Sequence, residues 1–186
     1  MKVLGIVCSP RVEGNTAILV REALDAAQDG GAEVELLSMA GLNIAPCDGC
    51  RSCRDGVECQ IKDDMEPIYQ KMKEADGIIV GTPVYFWSVS AQAKILIDRT
   101  LALYYPRALA NKAGAAIAVA GRSGTAMAIV AIQNAFLSHK MLWAGSLDGY
   151  GSDPGAIRND ARAMTDVRGL GERVIETIQR AKALAG

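Results

Sequence analysis

Four of the five cysteines in this 186-residue chain stand close together, as Cys47-x-x-Cys50-x-x-Cys53 and then, after five further residues, Cys59. Thiolates at this spacing on one flexible segment can converge on a compact centre, as at ferredoxin-type sites. Gly56 lets the chain fold back and bring the fourth thiol in. Four such donors suit a 4Fe–4S cubane. A structural zinc is an alternative, although its usual pattern is two knuckle pairs separated by a longer span. Four free thiols in a cap loop are another. Cys8 is separate: it ends an apolar run and reads as a small core hydrophobe.

A second chemistry sits near the N-terminus. The apolar run Val3-Leu4-Gly5-Ile6-Val7 leads into Cys8-Ser9-Pro10-Arg11-Val12-Glu13-Gly14-Asn15-Thr16, and then into a pattern with Val20, Leu24 and Ala27 on one helix face. A strand, a polar loop and a helix start expose unpaired backbone N–H groups, and the helix dipole adds positive potential. Ser9, Asn15 and Thr16 offer side-chain donors and Arg11 a full charge. The loop has neither the Gly-x-Gly-x-x-Gly of dinucleotide folds nor the Gly-Lys-Ser/Thr of nucleotide triphosphatases, which favours a single terminal phosphate. The plainer alternative is an ordinary loop whose Ser or Asn caps a helix.

A third segment, Gly81-Thr82-Pro83-Val84-Tyr85-Phe86-Trp87-Ser88, replaces the polar turn expected after a strand with an aromatic triplet fixed by a proline, and Ser88 is placed to cap the next helix. A fourth, Gly121-Arg122-Ser123-Gly124, has glycines that permit close approach to a ligand; a plain helix entry is its alternative.

The elements that must position these loops follow from periodicity. Strands are expected near Lys2–Cys8, Glu33–Ser38, Gly77–Gly81, Ala115–Ala120 and Met141–Gly145. Helices are expected near Asn15–Gln28, Asp64–Glu74, Ser90–Leu103, Thr125–Lys140 and Ala161–Leu184. Runs such as Ile78-Ile79-Val80 are apolar on both faces, as a buried parallel sheet requires. Five βα units imply one doubly wound sheet with helices on both faces and strand order 2-1-3-4-5. Strands one and three are then neighbours whose helices leave on opposite faces, so a crevice opens between their loops. A planar, apolar cofactor with a phosphate tail fits there. The cysteine segment, about 41–62, lacks periodicity and lies beside the same crevice; loops this long are usually functional.

Composition narrows the function classes. The length suits one domain spanning 1–186. The formal net charge is -1 with no basic block, which argues against nucleic acid and anionic membranes as partners. No apolar run approaches a membrane span, the N-terminus goes straight into strand pattern, and an odd cysteine count favours reduced thiols, so a cytoplasmic location is expected. His139, the only histidine, falls in the last turn of a helix, where a dipole contact is expected rather than catalysis. Asp98-Arg99 reads as a structural ion pair.

Taken together, these motifs resemble the NAD(P)H-dependent FMN reductase superfamily, and within it the iron–sulfur flavoproteins. The resemblance is carried by Ser9-Pro10-Arg11…Gly14-Asn15-Thr16, the cysteine motif, Lys62-Asp63-Asp64-Met65, Ala75-Asp76-Gly77-Ile78-Ile79, Gly81-Thr82-Pro83-Val84-Tyr85-Phe86 and Leu96-Ile97-Asp98-Arg99. It implies a flavodoxin-like fold, FMN, and a homodimer or homotetramer. Ser9, Arg11, Gly14, Asn15 and Thr16 match positions at the FMN phosphate. Pro83, Val84, Tyr85, Phe86, Trp87 and Ser88, with Gly121 and Gly124, match loops at the isoalloxazine ring. Cys47, Cys50, Cys53 and Cys59 match a cluster motif. Two departures stand out: Trp87 where relatives usually carry a small residue, and fewer glycines than usual in Gly121–Gly124. The implied activity is hydride transfer from NAD(P)H to FMN, then on to a quinone, flavin or similar acceptor, with or without a 4Fe–4S cluster. The alternative is an electron-transfer module between protein partners with no small substrate.

Overall fold

The computed structural model describes residues 1–56 and 58–185. Strands β1 (Lys2–Val7), β2 (Glu33–Ser38), β3 (Gly77–Tyr85), β5 (Ala113–Ala120) and β6 (Leu142–Tyr150) are parallel neighbours in the order β2-β1-β3-β5-β6. The two-residue β4 (Ser88–Val89) pairs antiparallel with the end of β3. The expected flavodoxin-like order of parallel strands is present, but a five-strand count missed this hairpin. Two expected strands also ended too early. β3 runs on to Tyr85, with Thr82 and Pro83 still paired to β5. β6 runs on to Tyr150, past a register shift at Gly114/Ala115 where Gly145 takes φ +122. Polar Ser146 and Asp148 hid that continuation, because β6 is an edge strand and only half-buried.

Alternation along the strands sorts the core into two layers. Val3, Val7, Ile79, Ala115 and Ile117 pack with helices α1 (Asn15–Asp29) and α6 (Ala161–Ala185). Leu4, Ile6, Ile78, Val80 and Ala116 pack with α2 (Met65–Glu74), α3 (Ala91–Arg99) and α5 (Thr125–Ser138). Cys8 belongs to the second layer, and burial pushes its thiol far above the usual range. The helix expected over Ser90–Leu103 is two: α3 stops at Arg99 and a short α4 (Leu101–Tyr104) follows. At the break the Thr100 hydroxyl donates back to the Ile97 carbonyl. No helix among the described residues is long and apolar enough to cross a membrane.

His139 sits at the C-cap of α5, where the sequence placed it, but it is buried, and burial disfavours the charge that a dipole contact needs. The Thr100 hydroxyl hydrogen already goes to Ile97, so His139 Nε2 donates to Thr100 Oγ1 at 2.9 Å. Nδ1 is buried with no partner among the described residues. The folded-state pKa is therefore lowered below the unfolded value of about 6.5. The unfolded chain binds the extra proton, so this contribution to stability is full above pH ~6.5 and is lost as pH falls. The urea midpoint of the wild type should drop between pH 7.5 and 5.5, and that drop should shrink in His139→Gln. Equal slopes for the two proteins would disprove this assignment.

Candidate functional site

The C-terminal edge of β1, β3 and β5 carries three of the loops singled out above, and hydrogen bonds stitch the first two together. Cys8 N donates to the Gly81 carbonyl across β1 and β3 at 2.7 Å. Ser90 Oγ donates to the Cys8 carbonyl at 2.6 Å and accepts from Ala93 N at 3.1 Å, so one buried hydroxyl both caps α3 and ties the β1 exit to the hairpin. Ser90, and not Ser88, is the cap, because the chain spends Ser88 on β4 before α3 begins.

The first loop ends on α1. Its N-cap, Gly14, contributes no side chain, and no acid lies in the first turn. The first-turn N–H groups and the dipole are thus uncompensated by the chain itself, which is the arrangement an anion requires. Ser9 is buried; its Oγ accepts from Arg11 N at 3.1 Å, which leaves its own hydrogen to give. Arg11 is exposed and has no ion-pair partner among the described residues. Glu13 would oppose an anion, but Arg21 forks onto it at 2.6 and 2.7 Å and holds its carboxyl below the usual range. Thr16 is buried within the first turn. The Asn15 side chain is committed elsewhere: Nδ2 donates to the carbonyls of Gly151 and Asp153 at 2.8 and 2.9 Å. Asn15 therefore braces the segment after β6, and its backbone N–H alone is left for a ligand. That segment was not singled out from sequence; its only signal is the Gly149–Gly155 composition.

Across the edge stands the aromatic hairpin. Tyr85 pairs with Ser88, so Phe86 and Trp87 are the two turn residues, at φ +45 and +67. Two-residue turns of this hand favour Asn-Gly, and a bulky residue at positive φ is strained. Phe86 is 99% exposed and Trp87 61%. Gly124 (φ +97) opens α5 directly against the hairpin; a Cβ there would stand 3.3 Å from Trp87 Cα and 3.0 Å from Val84 Cγ1. The structure thus brings Val84, Trp87 and Gly124 together. Pro83 and Val84 are half-buried, while Tyr85, Ser88 and Gly121 are exposed.

The cysteine segment leaves the same edge beside β1, where Met39 N donates to the Val7 carbonyl. Its regular structure is one short 3₁₀ turn, Ser52–Asp55. Cys47 and Cys50 are exposed and Cys53 and Cys59 half-buried; all are free thiols. Burial pushes the Cys53 thiol up, and the charges of Cys59, Cys47 and Cys50 add to that effect. Among the described residues no three Cys, His, Asp or Glu side chains form a metal-holding group. The four donors expected to converge share one loop but not one coordination sphere, and Cys47 and Cys50 are the exposed pair. A cleft of about 420 Å³ opens under the loop, walled by Cys59, Ile61, Tyr69, Leu103 and Pro106.

What sequence reasoning undervalued is Arg99. It pairs not along its own helix but with Asp63 at the base of the cysteine loop, at 2.6 Å, with both side chains almost wholly buried. Asp98 takes the local partner, Lys94.

Comparison with known proteins places this geometry in context. Residues 1–148 match the family model described as NADPH-dependent FMN reductase. A Methanocaldococcus jannaschii protein named iron-sulfur flavoprotein is 45% identical over 98% of this chain and 100% of its own. A Methanosarcina thermophila protein of the same name is 40% identical over 81% of each chain. The structure of RosB with a bound riboflavin-5′-phosphate derivative superposes with a TM-score of 0.80 at 16% identity, covering 98% of this chain and 81% of that one, which is a likeness of fold.

Proposed function

Because the chain belongs to the NADPH-dependent FMN reductase family, we propose that it binds FMN between the first loop and the aromatic hairpin and works as an oxidoreductase. Electrons enter from NAD(P)H and leave to a small acceptor such as a quinone or free flavin. The observation that carries this reading is the uncapped, acid-free start of α1 set across the sheet edge from the aromatic hairpin. The donor set fits a terminal phosphate at one end, and the apolar loop fits a planar ring at the other.

When bound, FMN supplies the electron-transfer chemistry, and the protein supplies orientation and field. The backbone N–H groups of Gly14, Asn15 and Thr16 and the Ser9 hydroxyl hold the phosphate, and Arg11 neutralises it. Asn15 keeps the loop after β6 in place through its side chain. Pro83 to Ser88 would border the ring, and Trp87, packed close to Gly124, would shield that edge from water. No side chain needs to act as a general base. The four cysteines are read as donors for a 4Fe–4S cluster, which suits their spacing and the names of the relatives; gathering them requires the loop to rearrange, since among the described residues they form no metal-holding group.

FMN titration of the apoprotein tests the phosphate assignment. Arg11→Ala removes one charge-assisted contact and should weaken binding by about 1.5–3 kcal/mol. Unchanged affinity would overturn the placement of the phosphate at this loop.

A further inference from the structure

We propose that Arg99 is the positioning residue for the cysteine loop, closing it at its base so that its four thiols stay within reach of one another. The inference rests on reading that loop as a cluster site. All five guanidinium donors are used. Nη1 donates to the Ala45 carbonyl at 2.8 Å and Asp63 Oδ2 at 2.6 Å; Nη2 donates to the Ile61 carbonyl at 3.2 Å and Asp63 Oδ1 at 3.0 Å; Nε donates to Tyr69 Oη at 3.3 Å. One side chain thus holds Ala45, before the first cysteine, and Ile61, after the last. Asp63 completes the closure by accepting from Ala45 N at 2.9 Å and Met65 N at 3.0 Å. A second rung, Asn43 N to Asp64 Oδ2 at 2.7 Å, lies just outside.

The fifteen residues between, 46–60, have no core of their own. Apart from the cysteines only Pro46 and Val57 are apolar, and the 3₁₀ turn buries nothing. Such a loop is ordered from its ends or from a group at its centre. A buried ion pair is a poor way to gain stability, since apolar residues of similar volume often do as well or better. Side-chain exposures of 1% for Arg99 and 8% for Asp63 mark a group kept for the geometry it imposes. Burial works against both charges. Hydrogen bonds from Arg99, Ala45 and Met65 nevertheless hold the Asp63 carboxyl below its usual range, and Asp63 and Tyr69 hold the guanidinium charged. Lysine, with three donors and no planar fork, cannot make the four bonds that reach both chain ends and both carboxylate oxygens.

The test compares wild type, Arg99→Lys and the milder Asp63→Asn, prepared anaerobically with and without iron and sulfide. In the metal-free proteins, amide exchange over residues 43–62 should rise at least about tenfold in both variants while β5 amides and FMN affinity hold. In the loaded proteins, iron should pass to a chelator at least about tenfold faster. Loop exchange equal to wild type in Arg99→Lys overturns the clamp, whether or not iron binds. Exchange that rises equally in the loop and in β5 also overturns it, because Arg99 would then support the fold in general. Wild-type protein that takes up no iron overturns the cluster reading instead, and the exchange arm still decides the clamp.

Discussion

Gly81→Ala is expected to weaken FMN binding by at least about tenfold, although residue 81 lies beneath the proposed site and not in it. A Cβ at Gly81 would stand 2.4 Å from Val20 Cγ2 and 2.9 Å from Thr16 Cγ2. Both are β-branched side chains on α1, and such residues have essentially one or two helical rotamers to use. They cannot swing aside, so the N-terminal turns of α1 must lift off β3. Overpacking of this kind costs about 1–3 kcal/mol. It falls on the one helix whose first-turn N–H groups are assigned to the phosphate, where a small misplacement loses hydrogen bonds that need 2.7–3.2 Å. FMN titration and thermal unfolding of the apoprotein separate the two effects. A variant that melts lower but binds FMN as wild type would show that α1 does not seat the phosphate.

Gly171→Ala should destabilise the protein by about 3 kcal/mol or more, against the sign that helix propensity gives. Residue 171 is inside α6, where alanine is intrinsically better than glycine by about 1 kcal/mol. Here, however, a Cβ would stand 2.2 Å from the Ala23 carbonyl oxygen and 2.9 Å from Ala26 Cβ. The obstacle is the backbone of α1, which cannot give without parting the two helices along the layer that includes Val20, Ala23, Val167 and Leu170. The clash, at the upper end of overpacking costs or above, outweighs the propensity gain. A lower urea midpoint at unchanged slope is the expected signature. A higher midpoint would mean that α1 and α6 cross farther apart.

The parts legible in the sequence are those set by local pattern. Runs apolar on both faces gave the parallel strands and their order. The hairpin was not legible, because a turn of that hand is recognised by Asn-Gly, whereas Phe86-Trp87 lies against distant Gly124, whose lack of a Cβ leaves it room. Asn15 looked like a phosphate donor since its partners, Gly151 and Asp153, lie far along the chain. Arg99 was seen as half of an ion pair, but its true partner sits 36 residues away and its burial leaves no mark in spacing. The cysteines were legible as the thiols of one irregular loop. That they lie in one loop without converging depends on the path of an irregular segment, and periodicity says nothing of that.

The turn at Phe86-Trp87 also bears on the sequence of events as the chain assembles. Hairpins usually close within microseconds because their turns favour closure. This one does not, since both of its central residues oppose the backbone it needs. It is held by contacts that exist only once β5 has joined β3 and α5 has started at Gly124, and by Ser90, which needs the β1 exit in place. The hairpin must therefore be among the last pieces to settle and among the first to come loose. Its three aromatics stay exposed in the folded apoprotein, so a chain whose hairpin has come loose presents them on a segment free to pair with a neighbour.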